Sequence, residues 1–228
     1  MSEEILVNVT PRETRVAVVE NGVLQEVQIE RVARRGLVGG IFKGSVSRVM
    51  PGMDAAFIDI GLEKAAFIHA SDVNTLPHSS QSLPAENGET VHEAIANLLH
   101  EGQQVLVQVV KDQIGTKGAR LTTNITVPSR YLVLLPYSTD VRLSARLEDE
   151  EERERLTTVM QELLGASGKK FGCILRTAAE AASKEDLRRD LDFLLRLWDS
   201  IVEKIGEATP VAEVYSDLPL AVRTLRDL

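Results

Sequence analysis

Apolar and polar residues alternate along the first thirty positions of the chain, with the period of two that marks half-buried strands. Ile5-Leu-Val-Asn-Val9, Arg15-Val-Ala-Val-Val19 and Val23-Leu-Gln-Glu-Val-Gln-Ile-Glu30 are three such runs. Asn21-Gly22 joins the last two and is a type I′ hairpin signal, because both residue types tolerate φ > 0. The pattern predicts a β-meander over residues 4–31. Arg34-Arg35-Gly36 and Gly39-Gly40 mark a flexible junction after it. From Ile41 to His69 the alternating runs become short and are separated by glycines. Val105–Val110 and Lys117–Thr123 are further strand-like runs. Together they predict a small twisted barrel over residues 36–125. Ser71 to Glu89 is rich in Ser, Pro, Asn and Gly and reads as a surface loop. Val91–Leu99 has helical spacing, so a loop and helix over 71–100 interrupt the barrel.

The texture changes after Pro128. Tyr131–Leu135 and Phe171–Thr177 read as strands, the second ending in the polar pair Arg176 and Thr177. Glu148–Leu164 reads as a charged helix. Ser183–Ile205 is the strongest helix, with Ser183 as N-cap and Glu185 and Asp186 in its first turn. Its apolar stripe is Leu187, Leu191, Leu194, Leu195, Trp198, Val202 and Ile205, which makes Trp198 a core residue. Pro210–Ser216 is strand-like, and Leu218–Leu228 begins another helix. The fold class is α+β.

Composition narrows the chemistry. The net charge of −8 excludes coating of nucleic acid by bulk electrostatics, so any such site must be local. Residues 36–125 hold six basic residues (Lys43, Arg48, Lys64, Lys111, Lys117 and Arg120) and nine acidic ones. No apolar stretch reaches the length of a membrane span, and the acidic start Met1-Ser-Glu-Glu-Ile5 lacks an apolar signal core, which predicts a cytoplasmic protein. The single cysteine, Cys173, lies in an apolar run and reads as a buried, inert thiol. Asp54, Asp59 and Asp72 follow strand and turn positions without a metal-ligand spacing, so a nuclease built on these local carboxylates is disfavoured. His69 ends a strand and reads as a surface or capping residue.

Two features point to single-stranded nucleic acid. Phe57 and Phe67 are flanked by small or β-branched residues, and aromatic groups on a small barrel stack on bases of any sequence. Periodicity alone leaves open whether they stack or fill the core. Lys43, Arg48 and Lys64 are the cations placed to hold a backbone beside them. A barrel face that docks a protein partner is the alternative reading.

These segments resemble those of the bacterial ribonuclease E/G family, on its ribonuclease G side. The matching residues are Leu6-Val-Asn-Val-Thr10, Arg15-Val-Ala17, Ile41-Phe-Lys-Gly44, Ala55-Ala-Phe-Ile-Asp59, Gly115-Thr-Lys-Gly-Ala-Arg-Leu-Thr-Thr123, Pro128-Ser-Arg-Tyr-Leu-Val133 and Leu175-Arg-Thr-Ala178. The resemblance implies a layout: residues 1–35 begin an RNase H-like subdomain, 36–125 form an inserted S1-like OB domain, 126–215 sense the RNA 5′ end, and 216–228 resume the RNase H-like part. It implies that Arg176 and Thr177 bind a 5′-monophosphate, with Lys117, Ser129 and Val133 completing the pocket. Ser129 stands where a ribonuclease E pattern has glycine. A basic family position falls on Ala145, with Arg146 beside it, open either to the pocket or to pairing with Glu148 or Glu150. The family's paired magnesium-binding aspartates and zinc-binding cysteines fall in later segments, as does its homo-oligomeric zinc link. The implied function is RNA binding and 5′-end sensing in an endoribonuclease of rRNA and mRNA processing and decay. Without those segments the chain is expected to be a fragment that binds no cofactor and does not cut.

Overall fold

The computed structural model describes residues 2–74 and 94–227. In chain order the strands and helices are β1 (Glu3–Val9), β2 (Glu13–Glu20), β3 (Val23–Arg31), β4 (Ile41–Met50), β5 (Ala55–Asp59), β6 (Ala66–His69), α1 (Ile95–Leu98), β7 (Gln104–Lys111), β8 (Arg120–Thr122) and β9 (Val127–Pro128). They continue with β10 (Leu132–Leu135), β11 (Val141–Leu143), α2 (Glu150–Ser167), β12 (Gly172–Leu175), α3 (Lys184–Glu207), β13 (Ala212–Tyr215) and α4 (Leu220–Asp227). The chain divides into two compact units, Met1–Leu37 with Asp217–Leu228, and Val38–Ser216.

The first unit is the antiparallel meander β1-β2-β3, with α4 packed on β2 and β3. Asn21 and Gly22 both have φ > 0, as the tight hairpin between β2 and β3 requires. Val16 and Leu220 are buried, while Leu6, Leu24, Val27 and Ile29 stay exposed.

The second unit opens with a closed five-stranded barrel in the order β4-β5-β6-β8-β7, sealed by β4–β7 pairing. All its pairings are antiparallel except β6–β8. Val46, Ile58, Ile68, Val107, Val109 and Leu121 are buried, and the alternating positions Phe57 and Phe67 are only half-buried. A bulge between Val46 and Arg48 puts Ser47 out of register. Of the predicted loop and helix over 71–100, residues 75–93 lie outside the described residues. The part that can be compared is a short 3-10 turn, Ala70–Asp72, and α1.

Beyond the barrel, four strands form a sheet in the order β11-β12-β10-β9. Leu132, Leu134, Cys173 and Leu175 are buried in one core with Leu156, Met160, Leu187, Leu191, Leu194 and Trp198 of α2 and α3. On the other face of the sheet Val133 and Ile174 are half-buried and directly opposed. The Tyr137 ring meets Trp198 edge to face, with centroids 5.9 Å apart. β13 returns to pair with the start of β4, adding a sixth strand to the barrel sheet.

Helix α3 starts at the predicted cap: the Ser183 side chain accepts from the Asp186 N–H, and the Asp186 carboxylate answers at the Ser183 N–H. One stripe position differs from expectation. Val202 is 48% exposed and Ile201 is buried instead. A period of 3.6 carries the apolar face from Trp198 to Ile201 and Ile205, passing Val202 by.

Candidate nucleic-acid interface

The barrel strands bring together residues far apart in sequence. Phe57 on β5 lies directly opposite Phe67 on β6. Arg48 on β4 is opposite Phe57, and Arg120 on β8 is opposite Phe67. The outer surface therefore carries a cross-strand row of cation, ring, ring, cation. Adjacent strands lie about 4.8 Å apart, so the two positions are cross-strand neighbours on one face. Arg48 is exposed. Arg120 is braced by Asp72, whose carboxylate accepts from Nε at 3.0 Å and sits 2.8 Å from Nη2. Its place in the row depends on the parallel β6–β8 pairing, which no local sequence pattern specifies.

The other predicted cations stand elsewhere. The Lys43 ammonium donates to the Ala208 carbonyl at 3.0 Å and approaches the Ile205 carbonyl at 3.4 Å, at the C-terminal end of α3. That is the negative end of the helix dipole. Lys64 is exposed, and its ammonium donates to the Gly115 carbonyl at 2.6 Å. Lys117 lies in the same turn, closed by reciprocal backbone bonds with Ile114, and its side chain is exposed. The turn is pressed onto β6, because the Phe67 N–H donates to the Ala119 carbonyl at 2.9 Å. The contact needs Gly118: a Cβ there would lie 2.0 Å from the Ala65 carbonyl oxygen.

A second cluster forms at one end of the β9–β12 sheet. Arg176 follows β12 directly, and its N–H donates to the Tyr131 carbonyl at 2.9 Å. Its guanidinium Nη1 donates to the Ser129 carbonyl at 2.6 Å. Thr177 is exposed at the start of a 3-10 turn, Thr177–Ala179. On the β11 side, the Ser144 N–H donates to the Leu175 carbonyl at 2.8 Å, and Ala145 and Arg146 occupy the turn closed by the Leu147 N–H bond to Ser144. The turn brings Arg146 to the same end of the sheet. Arg146 makes no ion pair among the described residues, and Glu150 pairs with Arg153 at 3.6 Å instead. Ser129, at the glycine-like position, is 3% exposed, so its side chain points inward. Val133 stands on the half-open face between Pro128 and Ile174.

The carboxylates considered for a metal are occupied in other ways. Asp54 accepts from the Ile95 N–H and Asp59 from the Gly61 N–H, each at 2.9 Å, while Asp72 holds Arg120. Among the described residues no group of three or more His, Cys, Asp or Glu could hold a metal ion. His69 caps the turn after β6, its ring nitrogen accepting from the Ser71 N–H at 3.2 Å. Cys173 is fully buried, and burial pushes its thiol up to about 12, which makes it inert at neutral pH.

Residues 126–228, which include the Arg176 cluster, match the model of the ribonuclease E/G family. The whole chain is 52% identical over 227 residues to ribonuclease G of Salmonella typhimurium and covers 45% of that protein. The chain belongs to the ribonuclease E/G family. Ribonuclease G of Haemophilus influenzae is 50% identical over 98% of this chain, again with 45% of the relative covered. Ribonuclease E of a Nostoc species is 39% identical over 84% of the chain, covering 26% of that relative. The chain thus spans less than half the length of these family members, and the region matched is their N-terminal part. The barrel is consistent with an OB fold. None of the described helices is long and apolar enough to cross a membrane.

Proposed function

We propose that this chain is the RNA-recognition part of a ribonuclease E/G-type endoribonuclease. An S1-like OB barrel grips single-stranded RNA, and the end of β12 reads a 5′-monophosphate. The observation that carries the reading is the fixing of Arg176. Its guanidinium bonds to the Ser129 carbonyl at 2.6 Å, next to the exposed Thr177. A guanidinium has five donors, enough to hold a carbonyl and phosphate oxygens together, and a threonine hydroxyl adds another. Arg146 and Lys117 supply further positive charge to the anion, while Ser129 and Val133 border the space for the first base. A 5′-triphosphate is bulkier and more charged than a pocket built around three oxygens admits.

On the barrel, Phe57 and Phe67 stack on successive bases and Arg48 and Arg120 flank the backbone. Lys43 and Lys64, bonded to protein carbonyls, contribute less to that grip. The meander with α4 is read as part of an RNase H-like subdomain. Magnesium-dependent cutting and the zinc link between protomers are assigned to segments that lie outside these 228 residues. The chain then senses RNA and positions it for cleavage.

The test is binding of two short RNAs that differ only in a 5′-monophosphate or a 5′-hydroxyl, at two salt concentrations. The reading expects tighter binding of the monophosphate, and loss of that preference in Arg176→Ala. Equal binding by the unmodified chain removes the pocket and leaves only the barrel. No binding to either RNA removes both.

A further inference from the structure

We infer that Asp190 is a positioning residue for the 5′-phosphate site, acting on Arg176 through the loop that joins β9 to β10. The inference rests on the 5′-monophosphate reading given above. Asp190 lies on α3 beside the buried stripe of Leu187, Leu191 and Leu194, and is itself half-buried. A single oxygen, Oδ2, accepts three donors. The Ser129 hydroxyl is 2.5 Å away, and the Tyr131 and Leu132 N–H groups are each 3.0 Å away. The Ser129 hydroxyl is also 3.0 Å from the Leu132 carbonyl. It has one proton, and the shorter, charged contact takes it.

Two successive N–H groups held by one carboxylate fix the direction of the peptide planes in the loop. The Leu132 N–H shares its plane with the Tyr131 carbonyl, and Ser129, whose hydroxyl the same carboxylate holds, supplies the carbonyl that accepts the Arg176 guanidinium at 2.6 Å. The Arg176 N–H in turn donates to the Tyr131 carbonyl at 2.9 Å, so loop and arginine are joined at two points. The Ser129 N–H also closes the loop on the Leu132 carbonyl at 2.8 Å. A helix is a stiffer support than a three-residue loop, and α3 is anchored in the core. Asp190 carries that stiffness to the arginine fork. Preorganised donors of this kind lose less entropy when the anion arrives. The serine side chain, absent from a glycine at this position, gives the carboxylate its third donor.

The test uses the full chain with Asp190→Ala, Asp190→Asn and Arg176→Ala. Affinity is measured for 5′-monophosphate and 5′-hydroxyl RNAs of the same sequence, with thermal unfolding and amide hydrogen exchange at Tyr131 and Leu132 recorded alongside. The expected result is a drop of about tenfold in the monophosphate preference of Asp190→Ala, the scale of one charge-assisted hydrogen bond. Affinity for the 5′-hydroxyl RNA is unchanged, and exchange at the two amides is faster. Should the alanine variant not fold, Asp190→Asn carries the test with a smaller loss in the same direction. Retained preference in both Asp190 variants, with preference lost in Arg176→Ala, overturns the positioning role and leaves the pocket standing. Equal weakening for both RNAs makes Asp190 merely structural and overturns it too. Retained preference in Arg176→Ala removes the pocket itself, and the inference with it.

Discussion

Gly118→Ala tests whether the close approach of the Ile114–Lys117 turn to β6 is as tight as described. A methyl on Gly118 would sit 2.0 Å from the Ala65 carbonyl oxygen, 3.0 Å from its carbon and 3.3 Å from the Ala66 Cα. A carbon normally approaches a carbonyl oxygen no closer than about 3.3 Å, so the two backbones must part by roughly 1.3 Å. Both neighbours, Ala66 and Ala119, are fully buried, and no flexible side chain is available to give way. The 2.9 Å bond from the Phe67 N–H to the Ala119 carbonyl then breaks. Overpacking costs about 1–3 kcal/mol and an orphaned buried hydrogen bond about 1–3 more, which makes about 3 kcal/mol a fair expectation. For a unit of this size that lowers Tm by roughly 6–12 °C. Gly52→Ala is the control, since a Cβ there meets nothing within 4 Å. Calorimetric melting of the three proteins gives the answer, and RNA affinity should fall in Gly118→Ala whatever the 5′ end. A melting temperature within about 2 °C of the unmodified protein would refute the reasoning.

Phe57→Ala and Phe67→Ala should each weaken binding of short single-stranded RNAs by about 1–3 kcal/mol, equally for both 5′ ends. Unchanged affinity by fluorescence anisotropy would return both rings to a purely structural role. Arg48→Ala should reduce the slope of log affinity against log salt by about 0.7. Lys43→Met should leave the slope alone and cost about 1 kcal/mol of stability at the C-terminal end of α3, and the reverse pattern would exchange their roles. Cys173 should resist iodoacetamide in the native protein at about pH 8 and react once urea unfolds it. Because its folded pKa is raised to about 12, its contribution to stability is complete below the unfolded value of about 8.5 and is lost as pH rises between the two. Rapid native alkylation would contradict the burial.

Local chemistry was readable from the sequence wherever it is settled within a few residues. The Asn21-Gly22 hairpin, the Ser183 cap and the buried Trp198 and Cys173 all depend on near neighbours, and the structure shows each of them. Short or mixed elements were harder. β11 has three residues and acquires its identity only from parallel pairing with β12. The expected strand over Lys117–Thr123 begins only at Arg120, because Gly118 first brings the turn against Ala65. Helix α2 runs from Glu150 to Ser167 rather than Glu148–Leu164, with Asp149 as its N-cap. In the candidate site, Arg176 and Thr177 could be named from a matching segment. The Arg48–Phe57–Phe67–Arg120 row could not, since it requires strand register across more than fifty residues. Asp190 gave no sign of its three bonds to the β9–β10 loop, because one carboxylate on a charged helix looks like any other until the loop is seen around it.

The pairing of β13 with β4 has a consequence for how an RNA would be measured. β4 is a wall of the barrel, and β13 follows α3, which packs on the β9–β12 sheet, so the barrel face and the proposed 5′-phosphate site belong to one compact unit. Two sites on a flexible tether accept ligands over a broad range of lengths, with effective concentration falling smoothly as the span changes. Two sites on one body behave as a caliper with its jaws set. An oligonucleotide too short to reach from the pocket to Phe57 and Phe67 would gain nothing from the second site. One nucleotide past the threshold would gain it in a single step, so affinity plotted against RNA length should rise as a stair.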